Sequence, residues 1–125
     1  MPLNKIGKLG EDIAERFLKS KGFEILSKNF NLGFAEIDII CSKNKVVHFV
    51  EVKTNSVDFS RENFSSERYA PEDRVDSRKI DKIHKAAEVY MNRLKDNKDW
   101  QIDVISVRLD QKTKQAKVIL LEQEF

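Results

Sequence analysis

The sequence predicts a mixed α/β domain, a central sheet of about five strands flanked by helices in the order α-β-β-β-α-β-β. Three observations carry that expectation. Two segments, starting near Ile6 and near Ile80, repeat apolar residues at helical spacing. Three β-branched and aromatic runs lie between them and two more follow. Short polar or glycine-bearing stretches separate the runs. At 125 residues the chain is near the commonest size of one domain and is long enough for one core, so residues 1–125 read as a single domain.

Ile6 to Ser20 reads as a helix because Ile6, Leu9, Ile13 and Phe17 form one stripe, with Gly22 as its C′ residue. Phe23 to Phe30 reads as a strand and Asn31 to Gly33 as a turn. Ala35 to Cys41 and Val46 to Lys53 read as two more strands. Thr54 to Val75 is polar, lacks a clean period and contains Pro71. It reads as a long mobile loop, and loops of that length in small domains are usually functional or disordered. Asp76 or Ser77 caps a helix running to about Leu94, with Ile80, Ile83, Ala87, Met91 and Leu94 as its core stripe. Gln101 to Arg108 and Ala116 to Leu121 complete the strands, with Asp110 to Lys114 turning between them.

Composition narrows the function classes. Charged residues make up 35% of the chain and hydrophobic ones 40%, which suits a soluble protein. The start, "MPLNKIGKLGED", lacks the apolar core of a signal peptide, and no apolar run is long enough to span a bilayer, so the expected location is cytoplasmic and without membrane. A single cysteine, Cys41, forms no internal disulfide and fits a reducing compartment. The net charge of +2 is too mild to indicate nucleic acid by itself, so any anionic partner must meet a local patch.

The informative stretch is "AEIDIICSKNKVVHFVEVKTN", Ala35 to Asn55. Two apolar strands are interrupted by Glu36, Asp38, Glu51 and Lys53, and an ionised group in a sheet interior is costly unless paired. A hairpin symmetric about Asn44-Lys45 makes paired residue numbers sum to 89. Asp38 then faces Glu51, Glu36 faces Lys53, Ile40 meets Phe49, Ile39 meets Val50 and Ile37 meets Val52. Facing carboxylates repel unless a cation or proton lies between them. Mg²⁺, which takes oxygen ligands and often only one or two protein carboxylates, resolves that conflict. Shifting the sum to 91 instead sets Asp38 opposite Lys53, an ordinary cross-strand salt bridge.

Glu11, at the edge of the first helical stripe, is placed to lean towards the sheet; the alternative is a solvated first-turn acid. Arg61, Arg68, Arg74, Arg78, Lys79, Lys82 and Lys85 follow the hairpin. They read either as a phosphate-tracking patch or as a solvated surface diluted by Glu62, Glu67, Glu72 and Asp73. His48 is expected opposite Cys41, on the face away from Glu51, as a core or interface histidine rather than a ligand. His84 reads as a partly buried structural residue, with a phosphate contact as the alternative, and Trp100 as a packing anchor.

The stretches "GKLGEDIAERFLKSKGFEILSKNF", "AEIDIICSKNKVVHFVEVKT", "DSRKIDKIHKAAEVYM" and "WQIDVISV" together resemble the YraN-like family of small bacterial proteins, from Gly7 to about Val107. The G-x-x-G-E-x-x-A helix and the E-I-D…F-V-E-V-K hairpin are the most specific parts. The family usually reads G-E-I-D where this chain has Ala35-Glu36-Ile37-Asp38, and "NFNLGF" replaces basic residues common before that point. The resemblance implies a restriction-endonuclease-like fold, similar to archaeal Holliday-junction resolvases. It implies Asp38 and Glu51 as metal ligands for Mg²⁺ or Mn²⁺, Lys53 as the catalytic lysine and Glu11 as the helix acid of a PD-(D/E)xK-type site.

Three functions follow from these readings. The first is a metal-dependent nuclease-like protein acting on phosphodiester bonds, in repair or recombination. Arg74, Arg78, Lys79, Lys82 and Lys85 would then hold the backbone of nucleic acid, expected to be DNA, and a homodimer would suit two-strand chemistry. The second is a non-catalytic nucleic-acid-binding module of the same fold. The third is a protein-interaction domain whose acids are salt-bridged. Fold alone does not decide among them.

Overall fold

The computed structural model describes residues 3–60, 74–95 and 97–123. Helix α1 (Leu3–Ser20) precedes β1 (Glu24–Asn31), β2 (Glu36–Lys43) and β3 (Val46–Val57). Helix α2 (Ser77–Leu94), β4 (Asp99–Asp110) and β5 (Gln115–Gln123) follow. The element order and the five-stranded sheet are those expected from the sequence. The strands lie in chain order, β1-β2-β3-β4-β5. Neighbours are antiparallel except β3 and β4, which pair in parallel from Val46–Asp99 to Val57–Asp110. Parallel neighbours need a long crossover, and α2 lies within that connection.

Local chemistry sets the helix ends. Gly22, at φ 90°, is the C′ residue of α1. The Phe23 N–H donates to Leu18 O at 3.0 Å and the Gly22 N–H to Lys19 O at 3.1 Å, the paired bonds of a Schellman close. Leu18 and Phe23 then meet in the core. At α2, the Asp76 carboxylate accepts the Arg78 N–H at 2.7 Å, satisfying one orphan donor of the first turn. The β2–β3 turn holds Asn44 and Lys45 at φ 52° and 66°, the doubly left-handed turn whose twist suits a hairpin.

Two cores form, one on each side of the sheet. Ala14 and Leu18 of α1 pack with Ile39, Cys41, Val50, Ile105 and Val107. Ile80, Ile83, Ala86, Ala87 and Met91 of α2 pack with Ile40, Val47, Phe49 and Ile102. Burying each large aliphatic or aromatic side chain is worth about 1.5–3 kcal/mol, so the sheet is stabilised from both sides. Trp100 packs edge-on against Phe49, with centroids 5.5 Å apart, and against His84 at 4.9 Å.

Several boundaries differ from the sequence reading. Helix α1 begins at Leu3 rather than Ile6. Strand β3 continues through Thr54 to Val57, where the sequence suggested loop. The polar residues there are held by the parallel ladder, in which Thr54 pairs with Val107 and Ser56 with Leu109. Tertiary pairing overrides composition at that point. The rest of the expected loop falls largely on 61–73, outside the described residues.

Candidate active site

The β2–β3 register is the one that sums to 89. Ile39 pairs with Val50, Ile40 with Phe49 and Cys41 with His48, which excludes the alternative with Asp38 opposite Lys53. The ladder stops at Ile39–Val50. Beyond it the Val52 N–H donates to Asp38 Oδ2 at 2.8 Å, so a side chain takes the backbone donor that a continued ladder would have used. The expected Asp38–Glu51, Ile37–Val52 and Glu36–Lys53 pairs are not among the ladder contacts. Ile37 instead packs on the α2 side, whereas Val52 packs on the α1 side. The strands part at Asp38 because its carboxylate competes successfully for the backbone.

Side-chain alternation sends Glu51 to the α2 side with Val47 and Phe49. Only 3% of Glu51 is exposed. Lys79, from the first turns of α2, donates to Glu51 Oε1. Asp38, Glu51 and Lys79 line one pocket of about 290 Å³ together with Phe34, Ala35, Glu36, Lys82 and Ile83. Two acids with a cation between strand and helix thus replace the bare facing pair that the register alone implied.

Helix α1 supplies the third acid. Glu11 lies close enough to hydrogen-bond Asp38 and also feels the charge of Glu36. Its approach depends on the preceding residue, Gly10, which is buried and packs directly on Thr54 of β3. Burial, then the Asp38 charge and hydrogen bond, raise the Glu11 carboxyl to about 7, against a weaker opposing pull from Lys28. Burial and the Asp38 charge likewise raise Glu51 to about 7, although Lys79 and Lys53 pull it down. Burial works against the Lys79 ammonium, but its hydrogen bond to Glu51 and the surrounding carboxylate charge win, so its pKa rises.

The donor set is made only of carboxylate oxygens, the chemistry of Mg²⁺ or Mn²⁺ rather than of zinc or copper. Asp38 and Glu51 are the carboxylates from β2 and β3 that line the pocket, and the Asp38 charge adds to burial in raising Glu51, the kind of electrostatic conflict that a divalent cation relieves. Among the described residues no group of three or more His, Cys, Asp or Glu side chains is arranged to hold a metal. Glu11 therefore stands beside the pair rather than completing a three-carboxylate cage.

The other sequence candidates distribute around this pocket. Lys53 is half-buried and acts on Glu51 through its charge, but it does not line the pocket. Lys79 and Lys82 line it. Arg78 and Lys85 are exposed on the same helix and Arg74 is exposed ahead of it. The sequence reading missed two features. Glu36 lines the pocket, and Lys79 touches Glu51 directly instead of serving only as part of an outer basic patch. The available signal was the position of Lys79, one residue before the buried Ile80.

On the opposite face, His48 lies across from Cys41 as the sequence suggested. The His48 Nδ1–H donates to Asp103 Oδ2 at 2.5 Å, and Gln101 Nε2 donates to Asp103 Oδ1 at 2.7 Å. The sequence reading overlooked Asp103, although an acid between Ile102 and Val104 needs a buried partner. Burial pushes the Cys41 thiol up to about 12, which makes it a packing residue and not a nucleophile. His84 Nδ1 meets Glu88 Oε1 at 2.8 Å on its own helix, a local structural contact.

Comparison with known proteins agrees with the motif reading. A UPF0102 protein of Campylobacter jejuni subsp. doylei is 41% identical over 104 residues, covering 83% of this chain and 84% of the relative. Relatives of the same description occur in Campylobacter lari, 42% identical over 101 residues with 81% of each chain covered, and in Campylobacter fetus subsp. fetus, 44% identical over 98 residues with 78% and 79% covered. Among solved structures, SfsA of Pyrococcus furiosus in complex with Ca²⁺ aligns with a TM-score of 0.37 and 11% identity, over 98% of this chain and 65% of that one. A likeness that slight does not bear on function. No helix among the described residues is long and apolar enough to cross a membrane. Residues 10–107 match the uncharacterised protein family UPF0102, the YraN-like group, and the chain belongs to that family.

Proposed function

We propose that this protein is a metal-dependent, nuclease-like enzyme that hydrolyses phosphodiester bonds of nucleic acid. The observation that carries the reading is that Asp38 of β2 and Glu51 of β3 line one lysine-flanked pocket, with Glu11 of α1 beside Asp38. The resemblance of the Asp…Glu-x-Lys pattern to PD-(D/E)xK nucleases supports it. Asp38 and Glu51 would hold Mg²⁺ or Mn²⁺. Such an ion, when bound, supplies charge that polarises a phosphate and lowers the pKa of water. Lys53 stabilises negative charge developing on the phosphate. Glu11, raised to about 7, is poised to accept or give a proton near neutral pH. Lys79, Lys82, Arg78, Lys85 and Arg74 hold the strand by its phosphates, which gives structure preference without base-sequence readout.

One observation favours a second reading. Lys79 already neutralises Glu51 and Val52 already satisfies Asp38, so the pocket is internally paired. A nucleic-acid-binding module of the same fold needs no more than that. Cleavage of branched, flapped and single-stranded DNA and of RNA, with Mg²⁺ or Mn²⁺, separates the two. The nuclease reading expects wild type to cut at least one substrate, Asp38→Asn to bind without cutting, and Lys53→Ala to lose rate more than metal affinity. Wild type that binds but never cuts leaves the binding module. Wild type that neither binds nor cuts overturns both in favour of a protein-interaction domain.

A further inference from the structure

Four large hydrophobic side chains are exposed among the described residues: Leu9, Leu26, Phe34 and Leu94. Isolated exposed leucines are ordinary. Phe34 differs because it lines the acidic pocket while 49% of it faces solvent. The turn that presents it is well formed. Asn31 Oδ1 accepts the Gly33 N–H at 2.7 Å, and the Leu32 N–H donates to Ala35 O at 3.0 Å. Gly33, at φ 87°, takes the left-handed conformation that closes it. Leu32 and Ala35 both pack on the α2-side core, so the chain is anchored on either side of the exposed ring.

The pocket beside that ring is divided in chemistry. Phe34, Ala35 and Ile83 are apolar, Glu36, Asp38 and Glu51 are acidic, and Lys79 and Lys82 are basic. Its volume, about 290 Å³, falls at the lower end of the usual small-ligand range. That space suits one nucleotide unit and not an intact base pair. The lysines are suited to phosphate and the acids to a cation that serves phosphate. An aromatic face is left over, and the part of a nucleotide that uses an aromatic face is its base.

Resting on the nuclease-like reading above, we infer that an unpaired nucleobase stacks on Phe34, so that the site takes single-stranded or locally unpaired nucleic acid in preference to intact duplex. Stacking of this kind tolerates any base, because every base has a π-face. It requires the base to leave its helix, which costs least where pairing is already broken. Phe34 is therefore a specificity residue and takes no part in bond cleavage.

The test is equilibrium binding in EDTA, where the proposed chemistry is off. Wild type, Phe34→Ala and Phe34→Trp are titrated by fluorescence anisotropy against a labelled single strand, a blunt duplex of the same sequence and a single strand bearing 2-aminopurine. Thermal melts confirm that each variant folds. The expected result is a loss of about 5- to 150-fold in single-strand affinity for Phe34→Ala, with duplex affinity unchanged and single-strand affinity retained by Phe34→Trp. Wild type should also alter 2-aminopurine emission, and Phe34→Ala should not. Equal losses on both substrates, or no loss on either, overturn the stacking role and leave the nuclease-like reading standing. If wild type binds neither substrate, the nucleic-acid reading itself fails and the stacking role falls with it.

Discussion

Gly10 and Thr54 are packed so closely that a methyl group on Gly10 would lie 1.9 Å from Thr54 Oγ1 and 2.8 Å from Thr54 Cβ. That contact sets the distance of α1 from β3, and Glu11 is the next residue along the helix. Gly10→Ala cannot be accommodated by a flexible side-chain tip, because Thr54 Cβ itself is in the way. The expected cost is about 1–3 kcal/mol, the usual range for overpacking, offset slightly by the better helix propensity of alanine. Chemical denaturation measures it. Gly7→Ala is the control, since nothing lies within 4 Å of its would-be Cβ, and it should stabilise or leave stability unchanged.

Proton affinity at the site gives stability a pH slope. Burial and then the Asp38 charge push the Glu11 and Glu51 carboxyls up to about 7 in the folded chain, from an ordinary 4.5. Between those values the folded state binds more protons than the unfolded state, so stability falls as pH rises through that window. Melting in EDTA should show Tm decreasing from about pH 5 to about pH 8. Mg²⁺ or Mn²⁺ should flatten the slope at the alkaline end and release protons as it binds. A Tm indifferent to both pH and divalent ion would remove the metal-pair interpretation of Asp38 and Glu51.

Lys79→Met tests the resident counter-ion. At pH 8 the change leaves Glu51 buried without its cation. The loss should be about 1–3 kcal/mol, below the range for a fully buried pair because Lys79 is half exposed. At pH 5, where Glu51 is protonated, the same variant should be close to wild type. Calorimetry should show tighter Mn²⁺ binding in Lys79→Met, since ammonium and metal compete for the same carboxylate oxygen. Weaker binding would mean that Lys79 helps to build the site rather than competing for it.

Asp103→Ala probes the other face. It removes the acceptor of both His48 and Gln101 and should destabilise by about 1–3 kcal/mol. Nucleic-acid binding by the folded variant should be unaffected. A selective loss of binding with unchanged stability would move the functional surface to the α1 side.

Much of this arrangement was readable from residue order. The apolar pairs about Asn44-Lys45 set the register, and the register brought Asp38 near Glu51. Gly22 and Asp76 marked helix ends because each has a specific backbone task. Simple alternation misplaces Ile37 because it assumes an unbroken ladder, and the Asp38 carboxylate breaks it by taking the Val52 N–H. Thr54 to Val57 reads as loop in the sequence because the parallel partner that holds it lies beyond α2 in the chain. The contacts of Lys79 with Glu51 and of Asp103 with His48 join distant segments, so no local pattern reveals them. In both cases the sign was a charge embedded among apolar residues, which announces a partner without saying which.

The position of Lys79 on a late element has a kinetic consequence. The β2–β3 hairpin is local, its two-residue turn is favourable, and hairpins of this kind close in about 1–10 μs. The parallel β3–β4 ladder must wait for the α2 crossover, since non-local pairing pays its loop-closure entropy first. During that interval Asp38 and Glu51 approach each other without the lysine that later separates their charges. Folding should therefore slow as pH rises from about 5 to about 8 and recover with added salt, which screens the repulsion. Stopped-flow refolding would show Mn²⁺ accelerating the folding limb of the chevron if the ion is already captured by the hairpin, and slowing only unfolding if it binds after α2 docks. The same two carboxylates proposed to hold the metal ion would then also time the assembly of the chain that carries them.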